Sequence, residues 1–420
     1  MSPRSLRTTF ASLLVILLAA CASMPRTAAE RESVLLVSLD GFRADYLDLG
    51  ITPNLSRLAD EGVRADWMTP SYPSLTFPNH YTLVTGLRPD RHGIVHNTMR
   101  DASLGTFALS RRDSVADGRW WDGQPIWVGA AEAGMPGATM FWPGSEAAIQ
   151  GVRPTRWQPF DATTPLAARV DTVVDWLSEP DATRPRIATL YFETIDHDSH
   201  DHGPDSPQAH AAVRAVDGAI GRLVRALSMR SMLDRTNLVI VSDHGMAAVE
   251  PGNALAVEDM VDPLDAETIT AGQSVGFQPR AGRDAQAEAR LLGTHPHYTC
   301  WRKSELPARW HYGTHPRVPA IVCQMQEGWD ARTRADIAKS SSTTTRGSHG
   351  YDPALPSMRA LFIARGPAFR NSVRLPPFDN VDVYPLLARL LGIRAAPNDG
   401  NPATWTPALR ASPQPMHSAP

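Results

Sequence analysis

Asp40, Asp196, His200, Asp243, His244 and His349 are carboxylates and imidazoles, the side-chain types that hold divalent cations, and each lies in a loop beside an apolar run. Asp196 and His200 are four residues apart, which on a helical turn sets both side chains on one face toward one cation. Asp/His ligation without thiolates suits zinc, with manganese or iron as borderline competitors. Six such ligands exceed one tetrahedral site and suit two, and two cations a few ångströms apart clamp the attacking and leaving oxygens of an in-line phosphoryl displacement. The nucleophile for that reaction would come from Pro70-Ser-Tyr-Pro-Ser-Leu-Thr-Phe-Pro-Asn-His-Tyr81. Here Thr76 precedes Pro78, a proline able to occupy the first turn of a helix, where free N–H groups and a positive dipole end favour a phosphate. A hydroxyl held against a divalent cation loses its proton more readily and becomes a usable nucleophile. Singly, each residue has a plainer explanation: Thr76 or Ser74 as a helix cap, Asp40 as another, Asp243-His244-Gly245 as a turn, His349 as a loop histidine. Their joint placement is what argues for a site.

The elements that must position these residues follow from hydropathy. Val34–Leu39, Ile187–Phe192, Leu238–Ser242 and Leu361–Ala364 are continuous apolar runs, as expected of strands buried on both faces of a parallel sheet. Amphipathic helical patterns lie between them at Thr52–Glu61, Pro165–Ser178, Ala209–Ser228 and Asp382–Leu391. Strand and helix in alternation predict an α/β fold, a doubly wound, mostly parallel central sheet with helices on both faces. In such sheets the ligand site lies beyond the carboxyl ends of the strands, and Asp40, Asp196 with His200, and Asp243-His244 follow the first three runs. From about 250 to 345 the pattern weakens, with many Pro, His and Arg residues and few clean strands; this stretch reads as a smaller inserted cap. The Pro- and Ala-rich tail, 394–420, is expected to wrap the surface or stay disordered.

A chain of 420 residues, 42% hydrophobic and 20% charged with a formal net charge of −3, is globular in composition, and nothing in that balance points to a nucleic-acid polymer as partner. Arg4 and Arg7 precede an apolar run from Ala11 that ends in Leu18-Ala-Ala-Cys21. A basic start, a short apolar core and small residues before a break describe an export signal, too short for a membrane span. The ending resembles a bacterial lipoprotein signal, implying a signal peptide over 1–20, lipidation of Cys21, a tether over 21–33 and a periplasmic lipoprotein. Ala22 rather than Asp after the cysteine favours the outer over the inner membrane as anchor. In an oxidising compartment the two remaining cysteines, Cys300 and Cys323, are expected to form a disulfide.

Seven segments, taken together, resemble the nucleotide pyrophosphatase/phosphodiesterases of the alkaline phosphatase superfamily, in their compact bacterial form. They are Ser38-Leu-Asp-Gly-Phe-Arg43, Thr76-Phe-Pro-Asn-His-Tyr81, Gly93-Ile-Val-His-Asn97, Phe141-Trp-Pro-Gly-Ser145, Asp196-His-Asp-Ser-His200, Ser242-Asp-His-Gly-Met246 and His349-Gly-Tyr-Asp352. The resemblance runs in matching order from about 34 to 391, which bounds a catalytic domain at 34–393. It implies two zinc ions, one held by Asp40, Thr76, Asp243 and His244 and the other by Asp196, His200 and His349. Asn97 matches the family's donor to a non-bridging phosphate oxygen. Phe77 and Tyr191 match the positions that sandwich a nucleobase, and Trp142 the adjacent pocket wall.

The resemblance therefore predicts a monomeric hydrolase that cuts nucleotide phosphoanhydrides and phosphodiesters to nucleoside 5′-monophosphates through a threonyl-nucleotide intermediate. A phosphomonoesterase would need cationic groups to neutralise a further phosphate charge, whereas Asn97 is neutral. The absence of Cys-x-Pro-x-Arg at Thr76 argues against a sulfatase. A lipid head-group phosphodiesterase of the same superfamily and a catalytically silent nucleotide-binding lipoprotein are the competing readings. His80, His92, His96, His197, His202, His295, His297, His311 and His315 take no part in this assignment and read as structural or surface residues.

Overall fold

The computed structural model describes residues 31–339 and 343–411. The expected leader, its Cys21 and most of the tether lie outside the described residues. The central sheet is built from β1 (Ser33–Leu39), β2 (Val63–Ala65), β3 (Gly137–Met140), β4 (Arg156–Trp157), β5 (Ile187–Phe192), β6 (Thr236–Val241), β12 (Phe362–Arg365) and β13 (Val373–Leu375). Strands β7 to β11 belong to the insertion and are given below. The spatial order is β13-β2-β12-β6-β1-β5-β3-β4, and β12 alone runs antiparallel to its neighbours. This is the doubly wound, mostly parallel α/β sheet expected from the sequence.

Burial on both faces explains the unbroken apolar runs. In β1, Val34 and Leu36 enter one core, while Leu35, Val37 and Leu39 enter the other. Helices α2 (Thr76–Thr85) and α6 (Val383–Leu391) cover the first face; α1 (Pro53–Glu61), α3 (Leu166–Leu177) and α5 (Pro207–Met229) cover the second, with α4 (Thr194–His202) leading into α5. The N-terminus of α1 receives no side-chain cap from its own chain neighbourhood. Instead the buried carboxylate of Asp217, on α5, accepts the backbone N–H groups of Asn54 and Leu55.

The insertion departs from the sequence reading. It is not poor in strands: β7 (Ala266–Thr270), β8 (Ser274–Pro279), β9 (Gly293–His295), β10 (Tyr298–Arg302) and β11 (Ile321–Met325) form an antiparallel sheet in the order β7-β8-β11-β10-β9. Cys300 and Cys323 are directly opposed in β10 and β11 and are disulfide-bonded. The C-terminal stretch is more than a surface wrap where it is described, since Trp405, Ala408 and Leu409 are buried in the first core. Trp405 packs against Phe362 and Phe378, and its indole N–H donates to the carbonyl of Asp382 at 2.7 Å.

Candidate active site

Register brings the site together. Parallel β1 pairs Ser38 with Tyr191 of β5 on one side and with Val241 of β6 on the other, so the three strands end level. Asp40, Tyr191 and Asp243, far apart in the chain, therefore share one sheet end. The turn after β1 needs Gly41, whose φ is +68° and where a Cβ would lie 3.0 Å from the Asp196 backbone. Its N–H donates to Asp243 Oδ1 at 3.2 Å. His349 arrives by a short antiparallel pairing of Ala247–Val249 with Arg346–Ser348, which stacks its ring 3.6 Å from that of His244.

Three imidazoles are fixed in one tautomer by backbone carbonyls. His200 Nδ1 meets Gly347 O at 3.0 Å, His349 Nδ1 meets Ser74 O at 2.9 Å and His244 Nδ1 meets Gly245 O at 2.9 Å. Each Nε2 is left as a lone pair aimed into the site, the arrangement that metal-ligating histidines adopt. His200 and His349 both place Nε2 3.4 Å from Asp196 Oδ1. His244 places Nε2 2.9 Å from Asp243 Oδ2, 3.6 Å from Asp40 Oδ1 and 3.3 Å from Thr76 Oγ1. Asp40 Oδ1, Asp196 Oδ1 and Asp243 Oδ2 are buried without a hydrogen-bond partner. Carboxylate oxygens facing imidazole lone pairs repel one another unless a cation lies between them, so the donor set fits divalent metal. The clusters Asp196/His200/His349 and Asp40/Asp196/His244 have the proximity a metal ion requires.

The electrostatics agree. Burial first, then the charges of Asp243 and Asp196, push the Asp40 carboxyl well above the usual carboxylate range. Burial likewise opposes the charge on Asp243, but positive charge on His244 and His80 outweighs it and holds that carboxyl well below, a stabilisation that a metal ion would supply with the His244 imidazole neutral. Burial, then His244 and His200, drive His349 far toward the neutral form. The Tyr191 hydroxyl donates to Asp40 Oδ2 and so fixes the other carboxylate oxygen.

Thr76 is not the cap of its helix. It is the first residue of α2, no side chain caps that end, and its hydroxyl points toward His244. The turn ahead of it is held instead by Asn79, whose amide donates to Pro73 O and Leu75 O, both at 2.9 Å, and accepts from the Ser71 N–H at 2.8 Å. Ser74 donates to Tyr351 O. Asn97 Oδ1 accepts the Phe77 N–H at 3.0 Å, which turns its NH2 group away from that bond.

A cavity of about 370 Å³ opens beside these residues, lined by Thr76, Phe77, Trp142, Tyr191, Asp196 and His200 among others. Phe77 is half-buried, whereas Trp142 is buried and its indole N–H donates to His80 O at 3.1 Å, so Trp142 also works as a core residue. His80 is the residue that sequence reasoning missed. Its Nδ1 is 2.9 Å from Thr76 O and 3.3 Å from Asp243 Oδ2, and its Nε2 is 2.8 Å from Ser38 Oγ. The available signal was spacing: His80 follows Thr76 by one helical turn. His295 and His297 stack on Tyr298 and Trp329 and join no metal cluster among the described residues.

Fold and site together place the chain among the phosphoric diester hydrolases. The family model described as type I phosphodiesterase / nucleotide pyrophosphatase matches residues 34–352, and the chain belongs to that family, within the alkaline phosphatase superfamily. It is 36% identical over 382 residues to an uncharacterised pyrophosphatase/phosphodiesterase of Schizosaccharomyces pombe, covering 88% of this chain and 79% of that one. It is 35% identical to the venom phosphodiesterase of Naja atra, covering 88% of this chain and 45% of that protein, so it spans about half the length of such relatives. The structure of human ectonucleotide pyrophosphatase/phosphodiesterase 5 superposes with a TM-score of 0.85 at 32% identity, covering 90% of this chain and 100% of that one. An inactive threonine-to-alanine variant of the murine protein, in complex with AMP, superposes with a TM-score of 0.84 at 34% identity over the same shares.

Proposed function

We propose that this chain is a zinc-dependent nucleotide pyrophosphatase/phosphodiesterase that releases nucleoside 5′-monophosphates through a threonyl-nucleotide intermediate. The observation that carries the reading is Thr76 Oγ1, 3.3 Å from His244 Nε2 and flanked by unpartnered buried carboxylate oxygens, at the mouth of a cavity walled by Phe77 and Tyr191. Asp40, Asp243, His244 and Thr76 would hold one zinc, and Asp196, His200 and His349 the other. Bound there, the two ions would supply Lewis-acid stabilisation of the phosphate oxygens and lower the proton affinity of an adjacent hydroxyl.

The chain's own groups do the rest. Phe77 and Tyr191 stack the base, and the AMP complex of the murine relative supports a nucleotide as the ligand. The Asn97 NH2 group donates to a non-bridging oxygen, where charge builds as phosphorus changes partners. Thr76 Oγ1 forms its bond to the α-phosphorus as the bond to the leaving oxygen breaks. Water then displaces the Thr76 oxygen, the hydroxyl regains a proton, and two in-line steps give net retention at phosphorus.

Hydrolysis of 4-nitrophenyl thymidine 5′-monophosphate tests this directly: Thr76→Ala should lose roughly a thousandfold or more in kcat. Equal activity of variant and wild type would remove Thr76 from its role, and inversion at a chiral phosphate would remove the covalent step. ATP should yield AMP and pyrophosphate; ADP and phosphate would oppose the reading. Metal analysis should find two zinc ions per chain, and activity lost to a chelator should return with zinc. We further propose that the protein is exported as a monomeric lipoprotein anchored by lipidated Cys21 to the outer membrane; Cys21→Ala should release it into the soluble periplasmic fraction.

A further inference from the structure

The loop that carries Asn97 has a feature that the catalytic assignment leaves unexplained: it is held from outside the doubly wound sheet, by the insertion. Tyr312 donates its hydroxyl to Val95 O at 3.0 Å. Arg317 Nη1 donates to Gly93 O at 2.9 Å, and its Nε donates to Asp101 Oδ2 at 2.9 Å. The remaining guanidinium contacts go to Trp120 O at 2.7 Å and Arg119 O at 3.3 Å, with the cation over the Trp120 ring. Arg317 is only 8% exposed. Earlier in the insertion, Glu267 pairs with Arg100 through two bonds of 2.6 Å.

We infer that the insertion positions Asn97, with Arg317 and Tyr312 as positioning residues for the transition-state donor; this rests on the reading of Asn97 given above. The grips bracket Asn97, with Gly93 and Val95 before it and Arg100 and Asp101 after it. Asn97 in turn accepts the Phe77 N–H at 3.0 Å, in the turn of helix that starts with Thr76. A planar fork with several N–H groups is what one buried side chain needs to bind three carbonyls and a carboxylate in different directions, and an ammonium cannot reproduce it. A donor displaced by a fraction of an ångström loses its value in the transition state while ground-state stacking of the base survives.

The test is a double-mutant cycle on 4-nitrophenyl thymidine 5′-monophosphate hydrolysis, with KM and kcat read separately and zinc content and melting temperature measured alongside. Arg317→Lys should lower kcat roughly 10-fold and Tyr312→Phe a few-fold, both with KM and zinc content nearly unchanged. In an Asn97→Ala background these costs should vanish, because the group they position is gone. Costs that multiply with Asn97→Ala, or that fall on KM or zinc content instead, would overturn the inference and leave a merely structural clamp. If Arg317→Lys does not fold, Tyr312→Phe, which deletes one hydroxyl, decides by the same criteria. An Asn97→Ala variant with wild-type kcat would overturn the donor role itself and the inference with it. That outcome is distinguishable from an active-site donor with an idle insertion, in which Asn97→Ala is slow while Arg317→Lys and Tyr312→Phe are normal.

Discussion

Tyr191 serves the site with both ends: its ring lines the cavity and its hydroxyl donates to Asp40. Phe77 has no such polar handle, so the two aromatic residues should separate on mutation. Phe77→Ala should raise KM for a nucleotide substrate roughly 10-fold or more, the value of one base stack, while bis(4-nitrophenyl) phosphate, which has no base, is spared. Tyr191→Phe keeps the ring and removes the donor; it should weaken metal affinity about 10- to 100-fold, read by chelator titration, with a small effect on KM. Ligand types and their joint placement beside the apolar runs, rather than any one residue, marked the candidate metal ligands in the sequence. His80 was not legible beyond its one-turn spacing from Thr76, because its other partners, Ser38 in β1 and Asp243 just past β6, come from distant parts of the chain.

At the scale of elements, the turn before α2 shows how the proposed nucleophile is held without acting as a cap. Asn79 sits buried between Ser71, Pro73, Leu75 and Asn380, whose amide also donates to it at 2.9 Å. Asn79→Ala strands these partners in a dry environment and should cost about 2–3 kcal/mol in chemical denaturation. Activity of the surviving folded fraction should fall as well, since Thr76 follows directly on that turn. The strands of the central sheet were legible because both of their faces are buried, which leaves an unbroken apolar run. Those of the insertion were not. In β10 the residues alternate between buried Tyr298 and Cys300 and partly exposed Thr299 and Trp301, over five residues bounded by polar turns. So short an alternation, broken by Pro and Gly on either side, is hard to tell from a loop.

For the whole molecule, buried histidines outside the candidate metal clusters contribute to how it responds to acid. Burial pushes His92 down to about 3 and His96 down to about 4, from an ordinary value of 6.5. Both are neutral in the folded chain and take up protons at higher pH once unfolded. Their contribution is therefore complete above pH 6.5 and declines as pH falls toward 4, by up to about 1.4 kcal/mol per pH unit for each. Denaturant titrations between pH 7 and 4.5 should show that slope, and His92→Gln should reduce it by the share of one group; an unchanged slope would exclude His92 as its source. The seat of Trp405 has a consequence for the order of events during synthesis. Its ring fills the space beside Phe362 and Phe378, next to the antiparallel strand of the central sheet. Until the ribosome has made that tryptophan, those two aromatics lack its cover, and the growing chain carries an adhesive apolar surface there.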